Sequence, residues 1–185
     1  MIFRPIDVVQ DKRWGDEQVR SRYSIETFRK RESDSVMDTF YYYWEAIGQG
    51  GNAASNFSNF RPFEVFPSSM VSRISWVETS DPNPENFILR NHCGGAMLSL
   101  YGSMEGTRLG DYPNRMHRDA TMAEYQLCKQ LRRPLYHEFN QILAGIPRHY
   151  RRILMPLLNE RGEVVRIAYS FRTISVFPPQ MHEAA

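Results

Sequence analysis

The stretch Leu135–Thr173, LYHEFNQILAGIPRHYRRILMPLLNERGEVVRIAYSFRT, decides the fold. It breaks into three strand-like runs, Leu135 to Leu143, Arg148 to Leu158 and Val164 to Thr173, each rich in aromatic and branched residues. Asn159-Glu160-Arg161-Gly162 joins the last two, and its glycine suits a hairpin that needs positive φ. Three strands in immediate succession make an antiparallel meander. Just upstream, Asp119 is a good N-cap for a helix running to about Leu131, with Met122, Tyr125, Leu127 and Cys128 among its apolar positions, and Pro134 stops it.

Working outward, Val71 to Glu78 reads as a strand, Asp81-Pro82-Asn83-Pro84 as a turn, and Asn86 to Asn91 as the second strand of a hairpin. Gly94, Gly95, Gly102 and Gly106 punctuate short helical pieces between that hairpin and Leu109 to Tyr112, and Pro62 to Met70 holds one short helix. Gly48 to Asn59 is a loop with little to bury. From Asp16 to about Gly48 the chain lacks proline and reads as helix. Its second part, with Val36, Phe40, Tyr43, Trp44 and Ile47 on one face, is the more amphipathic, capped by Asp34 or Ser35. The expectation is an α+β domain: a five-stranded antiparallel sheet with helices on one face, preceded by an N-terminal amphipathic helical extension. Residues 1–60 form the extension and its Gly/Asn-rich loop, 61–175 the domain, and 176–185 a flexible tail.

The 185 residues, 42% of them hydrophobic and 13% aromatic, suffice for one core without metals or disulfides. Arg4, Pro5 and Asp7 interrupt the apolar start as an export signal would not tolerate, and no run approaches the length of a membrane span. Cys93 and Cys128 form no C-x-x-C pair, so reduced thiols in a cytoplasmic protein are expected. A net charge of +2 argues against a dedicated nucleic-acid domain.

Phe87-Ile88-Leu89-Arg90, Gly94-Gly95, Tyr101-Gly102, Gly106, Leu109 and Asp111, followed by Pro156-Leu157-Leu158, Gly162 and Val164-Val165, form a succession that resembles the PAS fold. Phe40, Tyr43 and Trp44 on a helix, a Gly-rich loop, and Arg61 before a short Pro-containing segment extend the likeness to a stand-alone PAS family of alphaproteobacteria. The resemblance implies a sensory module without a fused kinase or cyclase.

The candidate chemistries narrow further. Asn91-His92-Cys93 is similar to the Asn-Cys-Arg element of flavin-binding PAS photosensors, but the reactive Cys there follows the turns that Tyr101-Gly102 and Gly106 would make, whereas Cys93 precedes them. Haem-binding PAS domains carry an axial His on the long helix, and Asp119 to Leu131 holds none; His117 stands just outside, with His137 further on. Neither cofactor is expected. No H-E-x-x-H, spaced Cys/His set or phosphate loop occurs, and Cys128 sits among packing positions, so no catalysis is expected. The arginines at 132, 133, 148, 151, 152, 161 and 166 read as a solvated outer sheet face or a docking surface for an acidic partner.

The reading that results is a signalling module binding a small apolar ligand, a protein partner, or both. Met97, Tyr101, Met122, Tyr125, Phe139, Met155, Ile167 and Tyr169 are the pocket candidates, each equally able to fill a core. The alternative is an interaction module with a filled core and no ligand. Five consecutive aromatics, Phe40 to Trp44, cannot all point inward from one helix. Phe40, Tyr43 and Trp44 are therefore the candidate interface of a homodimer.

Overall fold

A computed structural model describes residues 2–48, 54–90 and 104–176. The chain is α+β. It begins with a hairpin, β1 (Asp7–Arg13) and β2 (Asp16–Tyr23), followed by helices α1 (Ile25–Arg31) and α2 (Val36–Ile47). A two-residue strand β3 (Ser55–Asn56) and short helices α3 (Pro62–Val65) and α4 (Ser68–Val71) lead to β4 (Ile74–Glu78) and β5 (Ile88–Arg90). The long helix α5 (Arg115–Leu131) precedes the meander β6 (Leu135–Leu143), β7 (Ile146–Leu158) and β8 (Val164–Val176).

The strands form one open sheet in the order β1-β2-β6-β7-β8-β4-β5, every adjacent pair antiparallel. Off this path, β3 pairs in parallel with Leu157 and Leu158 of β7, beyond Leu154, where β6 no longer covers that strand. The five strands expected from sequence are present and contiguous in the sheet. Three more are present: β3, and β1 and β2 within residues 7–23, where the sequence from Asp16 onward predicts helix. The β1–β2 turn is Trp14-Gly15, both at positive φ (54° and 83°), and Ala144-Gly145 (51° and 75°) closes β6 onto β7 in the same manner. Both central residues of such a two-residue hairpin need positive φ, which glycine adopts without penalty.

Helices cover both faces of the sheet, not one. The reason lies in β6, β7 and β8, whose alternate residues are apolar on either side. Leu135, Phe139, Leu154, Ile167 and Tyr169 pack toward α5 with Val77, Leu89, Leu109, Tyr125 and Cys128. Tyr136, Ile153, Met155 and Ala168 pack toward α1 and α2 with Phe28, Met37, Phe40, Tyr41 and Trp44. The N-terminal segment thus supplies two strands to the common sheet and the cover of its second face.

Local sequence accounts for the helix positions. Ser35 caps α2 by accepting from the Asp38 amide, and Met37, Phe40, Tyr41 and Trp44 form its buried stripe. The N-cap of α5 is Asn114, whose Oδ1 accepts from the His117 amide at 2.8 Å, so the helix starts ahead of the expected Asp119 and contains His117 in its first turn. At its other end the Lys129 ammonium donates to the carbonyls of Thr79 and, at 2.9 Å, Asp81, tying the helix to the turn between β4 and β5.

Candidate functional site

The inward surface of α5 is not a plain apolar stripe. Its buried positions, His117, Thr121, Glu124, Tyr125 and Cys128, follow helical spacing but place a carboxylate and an imidazole against the sheet. Facing them, β2 contributes Arg20, β6 contributes His137, Phe139 and Gln141, and β7 contributes Tyr150 and Arg152. The register makes these groups neighbours: Arg20 opposes Phe139, Phe139 opposes Tyr150, and His137 opposes Arg152. Phe139 and Tyr150 stack with centroids 4.4 Å apart and planes 5° from parallel.

Charge in this layer centres on Glu124, which is 1% exposed. One of its carboxylate oxygens accepts from the Arg20 guanidinium at 2.9 Å, and the other pairs with Arg152. Arg152 also lies over the rings of Tyr125 (5.4 Å) and Phe139 (5.0 Å). Burial, reinforced by the charge of Arg20, brings the pKa of Arg152 down to about 10, which leaves it cationic near neutrality. His137 is fully enclosed, and burial together with Arg20 and Arg22 pushes its pKa down to about 3, so its ring is neutral at pH 7. Gln141 donates to Gln18 and lies 3.5 Å from the His117 ring nitrogen Nδ1.

Between α5 and the sheet these side chains leave a cavity of about 30 Å³, lined by Tyr112, His117, Thr121, Tyr125, Tyr150, Arg152 and Tyr169, with Leu89, Leu109 and Phe171. That is room for a water-sized group. Among the described residues, Arg152 Nε and Glu124 Oε2 have no hydrogen-bond partner, although the two side chains are ion-paired. No cluster of His, Cys, Asp and Glu among the described residues is suited to a metal ion.

The sequence-derived pocket residues divide. Tyr125, Phe139, Ile167 and Tyr169 come together on the α5 side, with Met122 packed at the margin of that cluster. Met155 lies on the opposite face among Met37, Phe40 and Trp44, because it differs in strand parity from Leu154, and so does not join them. Met97 and Tyr101, like His92 and Cys93, lie outside the described residues. Cys128 is fully buried, and burial pushes its thiol pKa up, in keeping with a packing role.

The interface candidates also have other partners. Phe40 and Trp44 are completely buried, and the Trp44 indole donates to the Pro156 carbonyl at 2.8 Å. Tyr43 Oη accepts from the Arg61 amide and donates to the Asn59 carbonyl, holding the segment that precedes α3. Of the five aromatics in succession only Tyr42 is exposed; the others pack within the chain.

The arginine series is divided between layers as well. Arg148 and Arg152 are buried, and Arg151 points to the α1 side, where it donates to Glu32 (3.1 Å) and Glu138 (3.2 Å). Glu32, fully buried, also accepts from Tyr136 Oη at 2.7 Å. Burial alone would raise the pKa of Glu138, but hydrogen bonds from His149 and Arg31 and the charges of Arg31 and Arg151 hold it at about 2. This second network fixes α1 to the meander. A solvated outer face is therefore the wrong description of Arg148, Arg151 and Arg152.

Sequence reasoning missed Arg20, Glu124, His117, His137 and Arg152 as parts of one site. Strand parity was the available signal for Arg152: it shares a face with Tyr150 and Leu154 in a strand buried on both sides. Compared with known proteins, the chain matches no family model, no curated protein and no solved structure.

Proposed function

We propose that the chain is a non-catalytic sensory module of the PAS type. Its ligand site is the cavity beneath α5, and its N-terminal helices, on the other face of the same strands, carry occupancy to a protein partner. The observation that supports this most is the polar lining: a packed core in this place would use apolar side chains, since burying polar groups without full partners is unfavourable. The contiguous five-stranded antiparallel set crossed by the longest helix is in keeping with the PAS reading. Ile153, Leu154 and Met155 face alternate layers, so a shift of β7 caused by a ligand under α5 is felt directly by the α2 layer.

The small volume of the cavity favours a second reading, an interaction module whose core is full. Native mass spectrometry of protein purified from its own host separates the two. A retained small molecule supports the sensor, and a bare chain in every charge state supports the interaction module.

Self-association belongs to the same proposal, with a changed surface. Since Phe40 and Trp44 are internal, the contact is assigned to the β1 edge, where Ile6, Val8 and Val9 are exposed. Light scattering on the full chain and on a Val8→Lys/Val9→Lys variant tests it. A wild-type mass of one chain across micromolar concentrations refutes a dimer, and a dimer persisting in the folded variant places the contact elsewhere.

A further inference from the structure

On the α2 face of the sheet, the register brings Leu157 of β7, Arg166 of β8 and Trp76 of β4 onto one surface. Phe57, Phe60 and Phe63, from the segment leading into α3, wall a cavity of about 260 Å³ above them. The size suits a single aromatic ring with a short substituent, well below a drug-sized molecule. Phe63 packs edge-on against Trp76 at 5.6 Å yet stays 60% exposed, and Phe57, Phe60 and Trp76 are only half-buried. Four adjoining rings open to solvent favour a flat, apolar guest.

The charges select its sign. Arg61 and Glu64 pair with each other at 3.2 Å. Arg166 lies over the Phe57 ring at 4.1 Å and pairs with Glu78 at 3.4 Å, and Glu78 is shared with Arg90, also at 3.4 Å. Among these five side chains, which line the cavity or pair with one that does, three are cationic and two anionic. Both contacts to Glu78 are longer than the ~2.8 Å of a close charge-assisted hydrogen bond. All three members of that row reach solvent, so a second carboxylate can take Arg166 without stranding a buried Glu78. A cationic guest meets the net positive charge, and the Phe57 face already holds a guanidinium.

We propose that this cavity binds a small aromatic carboxylate of the benzoate or phenylacetate class, its ring held among Phe57, Phe60, Phe63 and Trp76 and its carboxylate paired with Arg166. The site is independent of the cavity beneath α5, which lies on the other face of β7 and β8. Ring and charge are both required: acetate lacks the first and benzamide the second.

The test titrates the purified full-length chain, at constant ionic strength, with benzoate, phenylacetate, acetate, benzamide or benzyltrimethylammonium, read by calorimetry. Saturable binding of benzoate and phenylacetate is expected, with no saturation by the other three over the same concentrations. Arg166→Gln removes the charge partner and is expected to weaken benzoate binding about tenfold. Phe63→Ser, at an exposed position, removes one ring from the wall and is expected to weaken it as well. Thermal denaturation establishes that each variant is folded, and if Arg166→Gln is not, Phe63→Ser locates the site. The proposal is overturned if the wild type shows no saturable benzoate binding, or if benzamide or benzyltrimethylammonium binds as tightly as benzoate. Unchanged benzoate affinity in folded Arg166→Gln or in folded Phe63→Ser overturns it equally.

Discussion

His137 shows how the buried polar layer makes stability depend on pH. Its ring is enclosed beside Arg20 and Arg22, which holds its pKa at about 3 against an ordinary 6.5. Because the folded value is depressed, the unfolded chain takes up a proton below pH 6.5 that the folded chain refuses until about pH 3. Stability is therefore intact above 6.5 and falls as the solution is acidified through that window, by up to ~1.4 kcal/mol per pH unit. Glu138, held at about 2, adds its own loss only below 4.5, so the interval from 6.5 to 4.5 isolates the histidine from it. Urea unfolding across that interval should show a steep slope in the wild type and a shallower one in His137→Gln; equal slopes would contradict the assignment. Cys128 offers a second check at this scale. With its thiol fully buried and its pKa raised by that burial, a Cys93→Ser chain should not react with a thiol reagent until denatured. Residues such as Tyr125, Phe139 and Tyr169 were legible as inward-facing because they are apolar. Arg152 and Glu124 were not, since a charged residue in a sequence is read as solvated until a partner from a distant segment is known, and Arg20 precedes Glu124 by 104 positions.

At the scale of elements, the α2 helix depends on one side chain more than on its propensities. Trp44 is completely buried, lies 5.8 Å from the Tyr41 ring, and donates to the Pro156 carbonyl in β7. Trp44→Phe keeps most of the apolar contact but leaves that buried carbonyl short of a donor, a loss of about 1–3 kcal/mol. Trp44→Ala adds a large cavity and should lose about 3–5 kcal/mol. Chemical denaturation that finds the two variants equally stable would show that the hydrogen bond, not the packing, carries the effect. The amphipathic pattern of this helix was plain in the sequence, and the meander and the β4–β5 hairpin were legible from runs of aromatic and branched residues bounded by turn signals. The β2 strand was not. Its inward residues Gln18 and Arg20 serve the polar layer, so the alternation that identifies a half-buried strand is missing, and the absence of proline and glycine from Asp16 to Ile47 favoured a helix. The deciding signal was Trp14-Gly15, whose glycine permits the tight turn.

For the whole molecule, the sheet is a shared wall between two layers, one polar and aromatic beneath α5, the other dominated by the aromatics of α1 and α2. A run of five aromatics is surplus to one core when the sheet is covered on one face only. With a second face to cover, Phe40, Tyr41 and Trp44 have a place inside the same chain, and Tyr43 supports the segment leading to α3. This changes what a Phe40→Ser/Trp44→Ser chain should do. Were these residues an interface, the variant would keep its fold and fall apart into monomers. Here the two substitutions place hydroxyls and empty volume in a layer built from completely buried rings. Phe40 packs edge-on against Phe66 at 5.2 Å, and Trp44 is bonded to β7, so both the α2 contact and the route of the chain toward α3 are disturbed. The expected result is loss of a cooperative thermal transition and of near-ultraviolet dichroism, with expanded or aggregated material in light scattering. A compact monomer with the wild-type melting temperature would overturn the internal assignment and return these aromatics to the surface. The Val8→Lys/Val9→Lys chain is the matched control, because exposed positions on an edge strand tolerate charge. It should retain a cooperative thermal transition and near-ultraviolet dichroism whatever its mass in solution.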